Sequence, residues 1–165
     1  MGGYGSTRWR WHNKRQTVEE SRVLSIFDFK REGLLQPNRF QTGSWWWRNS
    51  YTGKKTASIN YLINTMSPRP WLRLLYHTLP WNGEERKFDY QVELQTTHCH
   101  FGGLRWWFIC PLLSNGRPCG RRVAKLYMPP GGFYFGCRHC NDLTYRSSQE
   151  NDKRVNALKQ PGALN

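Results

Sequence analysis

Four of the five cysteines of this chain, Cys110, Cys119, Cys137 and Cys140, fall in the stretch FICPLLSNGRPCGRRVAKLYMPPGGFYFGCRHC. Cys137-Arg-His-Cys140 is a CxxC knuckle, the spacing that brings two thiolates to one tetrahedral Zn²⁺. Seventeen residues separate Cys119 from Cys137, within the range of paired zinc knuckles. The first pair is wider, with eight residues between Cys110 and Cys119, but Pro111 opens it and Gly120 closes it as in a knuckle. Asn115-Gly116 within that gap is a tight-turn signal, so the chain can leave and return without separating the two thiols.

Competing chemistry for these thiols is weaker. Two disulfides require an oxidising compartment, and nothing in the sequence argues for one. Redox work at a lone CxxC does not explain two further cysteines nearby. His139 lies inside the knuckle and is an alternative ligand, although an exposed loop position suits it better. Four thiolates close the coordination shell and leave no position for water, so the site is expected to hold one structural zinc ion rather than a catalytic one. Between the knuckles, RRVAKLYMPPGGFYFGC reads as strand, turn and strand, with Pro129-Pro130-Gly131-Gly132 reversing the chain into Phe133-Tyr134-Phe135. Two knuckles joined by such a hairpin make a zinc ribbon.

The charge distribution points to an anionic partner. The chain carries 25 Lys and Arg against 11 Asp and Glu, a net charge of +14. Acids are absent from 1–16, from 33–83 and from 94–141, and each stretch contains several basic residues. A surface of one sign repels itself, and nucleic acid, DNA or RNA, is the natural complement. Arg121 and Arg122 directly after the second ligand, Arg117 in the knuckle loop, Lys125 on the following strand and Arg138 inside CxxC are candidate phosphate contacts. Arg8-Trp9-Arg10-Trp11 forms a basic arm within residues 1–16, where arginine and tryptophan alternate as phosphate and base contacts would. The same arm also reads as Trp9 and Trp11 packed on the domain with solvated arginines. A protein-binding adaptor or inhibitor docking on an acidic or nucleic-acid-handling partner is the rival function. No apolar run reaches the length of a membrane span and residues 1–16 have no apolar signal region, so a cytoplasmic protein without a membrane partner is expected.

The rest reads as an antiparallel β domain. Thr17-Val18-Glu19-Glu20 matches a capping box, and Ser25 to Glu32 reads as a short helix ended by Gly33. Val23, Leu24, Ile26, Phe27, Leu34 and Leu35 are expected core residues. From Gly43 the period is two: a hairpin turning near Thr52-Gly53, a strand at WLRLLYHTL, an Asn82-Gly83 turn, and KFDYQVELQTT. In the last, Phe88, Tyr90, Val92, Leu94 and Thr96 share one face and Asp89, Gln91, Glu93, Gln95 and Thr97 the other, one buried and one wet. LRWWFIC is a further strand.

Asp89, Glu93, His98 and His100 are the only seat for metal-dependent hydrolysis, and the polar face of a sheet accounts for them, so no enzyme is expected. Strand alternation separates Cys99 from His98 and His100, which makes Cys99 a core residue rather than a ligand.

The segments MGGYGS, TVEES, KREGLL, THCHFGGLRWWFICP, CGRRVAKLY and CRHCNDLTYRSSQE, taken together, resemble a family of small, uncharacterised bacterial and phage proteins. That resemblance covers most of the chain and implies a C-terminal Cys₄ zinc ribbon and a bacterial or mobile-element setting. The expected organisation is a basic arm (1–16), helical turns with a β meander (17–107), the zinc ribbon (108–145) and a polar tail (146–165).

Overall fold

The computed structural model describes residues 15–49, 51–78 and 83–150. It is mainly β, an antiparallel curled sheet with few short helices and a cysteine cluster toward the C-terminus. In chain order the elements are β1 (Arg22–Ser25), α1 (Ile26–Arg31), β2 (Phe40–Arg48), β3 (Lys55–Asn64), β4 (Trp71–Thr78), β5 (Arg86–His98), β6 (Leu104–Ile109), β7 (Leu113–Ser114), β8 (Arg117–Pro118), β9 (Arg122–Val123), β10 (Lys125–Met128) and α2 (Arg146–Glu150). Strands β2 to β6 form the expected meander, and β9 adds a sixth strand beside β6.

Period-two patterning builds the inner face. Ile59, Tyr61 and Ile63 of β3, Leu72, Leu74 and Tyr76 of β4, Phe88, Val92 and Leu94 of β5, and Trp106 and Phe108 of β6 are all buried. The one helix between β1 and β2 closes over this face. Phe29 of α1 is fully buried, with its ring 4.9 Å from Trp45 and 5.8 Å from Phe108. Such edge-on aromatic contacts add to plain area burial. α1 ends where the sequence indicates, with Gly33 at φ +71°. Phe27 faces outward, half exposed at 50%, because a single short helix buries only one stripe. Thr17 to Glu20 closes one turn and no helix follows. Thr17 N–H reaches Glu20 Oε2 at 3.3 Å, after which the chain enters β1.

The segment after the second knuckle cysteine differs from a simple hairpin. β9 pairs with β6, and at Ala124 the chain leaves that sheet so that β10 pairs with β1, Arg22 opposite Met128. Phe133-Tyr134-Phe135 forms no strand. Its rings are used instead to cover the sheet: Phe135 stacks 5.8 Å from Trp47, Phe133 lies 5.8 Å from Phe88, and Tyr134 lies 5.3 Å from Tyr90. Leu126, Met128 and Phe135 therefore join Leu24, Phe29 and Phe108 in one core. Residues on either side of position 108 share that core, and β6 spans the position.

Cys99 is exposed, not buried. β5 ends at His98, and the chain turns through Cys99 to Gly103, with Cys99 N–H bonded to the Gly103 carbonyl at 3.0 Å. Alternation does not extend into a turn, so His98, Cys99 and His100 all face solvent.

Candidate metal centre and basic face

The two-residue turn in the wide first knuckle resolves how eight intervening residues fit. Asn115 and Gly116 take φ of +52° and +75°, both positive as a type I′ turn requires. β7 and β8 pair on either side of it, Leu113 opposite Pro118 and Ser114 opposite Arg117. The ladder continues inward through Cys119 N–H to the Leu112 carbonyl, 2.8 Å, and Cys110 N–H to the Arg121 carbonyl, 2.9 Å. Cys110 and Cys119 thus lie on facing segments at the hairpin base, beside one another.

Cys137 and Cys140 come from a compact turn. Cys140 N–H points at Cys137 Sγ, 3.4 Å away, and Leu143 N–H closes onto the Arg138 carbonyl at 3.0 Å. Gly136 lets this turn approach the first knuckle. A Cβ at that position would lie 2.1 Å from Leu112 Cδ1, closer than any real contact permits.

The four sulfurs converge, all within 4.8 Å of one another. Cys110 and Cys140 sulfurs are 3.9 Å apart, and so are those of Cys119 and Cys137. A tetrahedral site with Zn–S bonds of about 2.3 Å places its sulfurs about 3.8 Å apart. A disulfide needs roughly 2.05 Å, so neither pair is bonded. Cys137 N–H also points at Cys110 Sγ, 3.2 Å away, an N–H···S contact suited to a thiolate carrying charge toward a cation. The donor set and spacing fit a tetrahedral metal ion. Among the described residues this is the one group of three or more His, Cys, Asp and Glu side chains whose ligand atoms gather in this way.

Protonation follows from the packing. Burial pushes the Cys110 thiol up to about 11, and burial followed by its thiol neighbours also raises Cys140. Burial acts in the same direction on Cys137, but the Cys140 N–H and the surrounding thiols outweigh it and hold Cys137 below the ordinary thiol range. A cation entering this cluster displaces protons as it binds.

Beside the second knuckle lies a cleft of about 320 Å³ whose lining includes Trp107, Arg122, Lys125, Arg138, His139 and Tyr145. Of the basic residues singled out from the sequence, Arg122, Lys125 and Arg138 meet here. His139 is exposed at the cleft while the four sulfurs make the cluster without it. Arg117 sits exposed by the β7–β8 turn, and exposed Arg121 contributes its carbonyl to the knuckle ladder. Arg8, Trp9, Arg10 and Trp11 lie outside the described residues. Sequence reading did not single out Arg105, Trp107 or Tyr145. The signal for the first two is alternation in β6, where Trp106 and Phe108 point inward and Arg105 and Trp107 consequently point outward.

The acids of β5 are otherwise engaged or plainly wet. Asp89 accepts two bonds from Arg73, 2.6 and 2.7 Å, and the bonded guanidinium holds its carboxyl below the usual range. A cavity of about 600 Å³ lies between β3, β4 and the turn at Gly131 to Phe133, lined by Arg22 and His77 and, among the described residues, by no carboxylate.

No protein-family model, curated protein or solved structure matches the chain. No helix among the described residues is long and apolar enough to cross a membrane.

Proposed function

We propose that this is a non-catalytic zinc-ribbon protein that binds nucleic acid through the basic, aromatic surface beside its knuckles. The observation that carries the reading is that Arg122, Lys125 and Arg138 gather around one cleft against the cysteine cluster, with Trp107 and Tyr145 among them. Cys110, Cys119, Cys137 and Cys140 would hold one Zn²⁺, which when bound supplies a cross-link between the β7–β8 hairpin and the second knuckle. A sulfur shell that is complete offers no site for an activated water, which is why the metal's role is structural. Fixing the backbone at these knuckles lowers the entropy lost when the adjacent cations are ordered on phosphate. Thiols held for metal suit a reducing compartment such as the cytoplasm, and the bacterial or phage setting implied by the sequence resemblance belongs to the same reading.

The test is binding of the full chain to random-sequence DNA and RNA as salt is raised. Each phosphate contact releases counterions, so log affinity should fall by roughly 0.7–0.9 per contact for each tenfold rise in salt. Zinc-loaded protein that binds neither nucleic acid at low salt would overturn this reading and leave the adaptor or inhibitor function in its place.

A further inference from the structure

Three arginines of this face rest on aromatic rings instead of carboxylates. The Trp107 indole N–H donates to the Thr97 hydroxyl at 2.9 Å, which fixes the ring on the outer surface of β6. The Arg105 guanidinium lies 4.3 Å from the Trp107 ring centroid and that of Arg122 lies 5.6 Å from it. Across the cleft, Arg138 lies 5.3 Å from the Tyr145 ring and donates one further bond to the Leu143 carbonyl. Among the described residues none of these three is ion-paired, whereas Arg15, Arg31 and Arg73 each pair with an aspartate. A ring holds a guanidinium in place without cancelling its charge, and leaves most of its N–H donors free for an anion.

Two features narrow the anion. Among the described residues no carboxylate lines the cleft, and cations and aromatic rings share it. That mixture matches a single nucleic-acid strand, in which phosphates and accessible base faces occur side by side; in a duplex the base faces are stacked away from the protein. We propose that this cleft is the seat of a single strand, with phosphates paired to Arg122, Lys125 and Arg138 and a base stacked on Tyr145, which is 45% exposed. Trp107 positions Arg105 and Arg122 and carries two guanidinium groups over its ring, whereas Tyr145 carries one, that of Arg138, and is the more open platform. This inference rests on the nucleic-acid reading above and adds the site and the strandedness.

The experiment measures binding of fluorescein-labelled single-stranded and duplex oligonucleotides of one sequence to the full zinc-loaded chain, by anisotropy across a salt series. The variants are Arg122→Gln with Arg138→Gln, Tyr145→Leu, Lys125→Gln, and, as a control outside the cleft, Lys54→Gln in the turn between β2 and β3. Zinc content and melting temperature report whether each is folded. The double variant should weaken single-strand binding at least tenfold and remove about two contacts from the salt slope, about 1.4 in log–log units for single strands. Tyr145→Leu should weaken single-strand binding on the order of tenfold with little effect on duplex. Lys54→Gln should change neither. If the double variant fails to fold, the exposed Lys125→Gln carries the test, with a slope loss of about one contact. Wild-type binding that survives all the cleft variants, or that Lys54→Gln weakens equally, overturns the cleft while leaving nucleic-acid binding standing. A preference for duplex overturns the single strand. Absence of any binding by the wild type overturns both this inference and the function it rests on.

Discussion

The Tyr90 hydroxyl accepts the backbone N–H of Phe135 at 2.9 Å, joining the middle of β5 to the segment that leads into Cys137. Tyr76 extends the link: its hydroxyl lies 3.1 Å from that of Tyr90 and donates to the Phe133 carbonyl. In residues 133–135, which form no strand, these two side chains satisfy the Phe135 N–H and the Phe133 carbonyl. The central sheet therefore helps to set the position of the second knuckle, whether or not the four cysteines hold a metal.

Tyr90→Phe should leave the Phe135 N–H without its partner and cost about 1–3 kcal/mol, the scale of an unsatisfied buried donor. The cost has a pH signature. Burial pushes Tyr90 up to about 12, above the roughly 10 of an unfolded tyrosine. A raised acid stabilises the fold fully below the unfolded value, and the contribution is lost as pH climbs from 10 toward 12. Urea unfolding at pH 8, 10 and 11.5 should show the wild-type advantage over Tyr90→Phe shrinking over that window. A gap that widens instead would contradict the burial of this hydroxyl.

Gly136→Ala forces a methyl against Leu112, on the opposite knuckle. Overpacking of this kind typically costs 1–3 kcal/mol, and the strain falls where the sulfurs must converge. Shortening the opposing side chain makes room, so Gly136→Ala with Leu112→Ala should lose less stability than the two single changes summed. A double-mutant cycle by thermal melting measures the coupling. Strict additivity would mean that the knuckles do not touch here.

Cys99 predicts the opposite of a core residue. Exposed on the turn after β5, it should tolerate alanine within about 0.5 kcal/mol and retain full metal content. Alkylation under native conditions should modify Cys99 first, with Cys110 and Cys137, both buried, reacting only after metal is removed. Loss of metal in Cys99→Ala would show that the ligand set is wrong.

What the sequence makes legible here is local. The buried face of β5 follows from alternation of Phe88, Val92 and Leu94 with polar neighbours, and the β7–β8 turn follows from Asn115-Gly116, a pair suited to positive φ. The cysteine cluster is legible because ligand spacing is itself a local constraint. Non-local choices are not. Nothing near Lys125 to Met128 specifies that this strand leaves the β6 sheet and pairs with Arg22 to Ser25. Phe133-Tyr134-Phe135 has strand composition, yet it forms no strand and its rings cover Trp47, Phe88 and Tyr90. Alternation points Cys99 into the core only if β5 runs one residue past its end at His98. The outward pair Arg105 and Trp107 hides in an aromatic run where the inward neighbour is also tryptophan.

Zinc-edge X-ray absorption on the purified chain, together with metal analysis, reads out what the four cysteines hold. About one zinc per chain is expected, with four sulfur neighbours near 2.3 Å, and loss of that signal when any one of Cys110, Cys119, Cys137 or Cys140 is replaced by serine. A shell containing nitrogen or oxygen in place of sulfur, or metal-free protein that melts at the same temperature as the metal-loaded form, would contradict it.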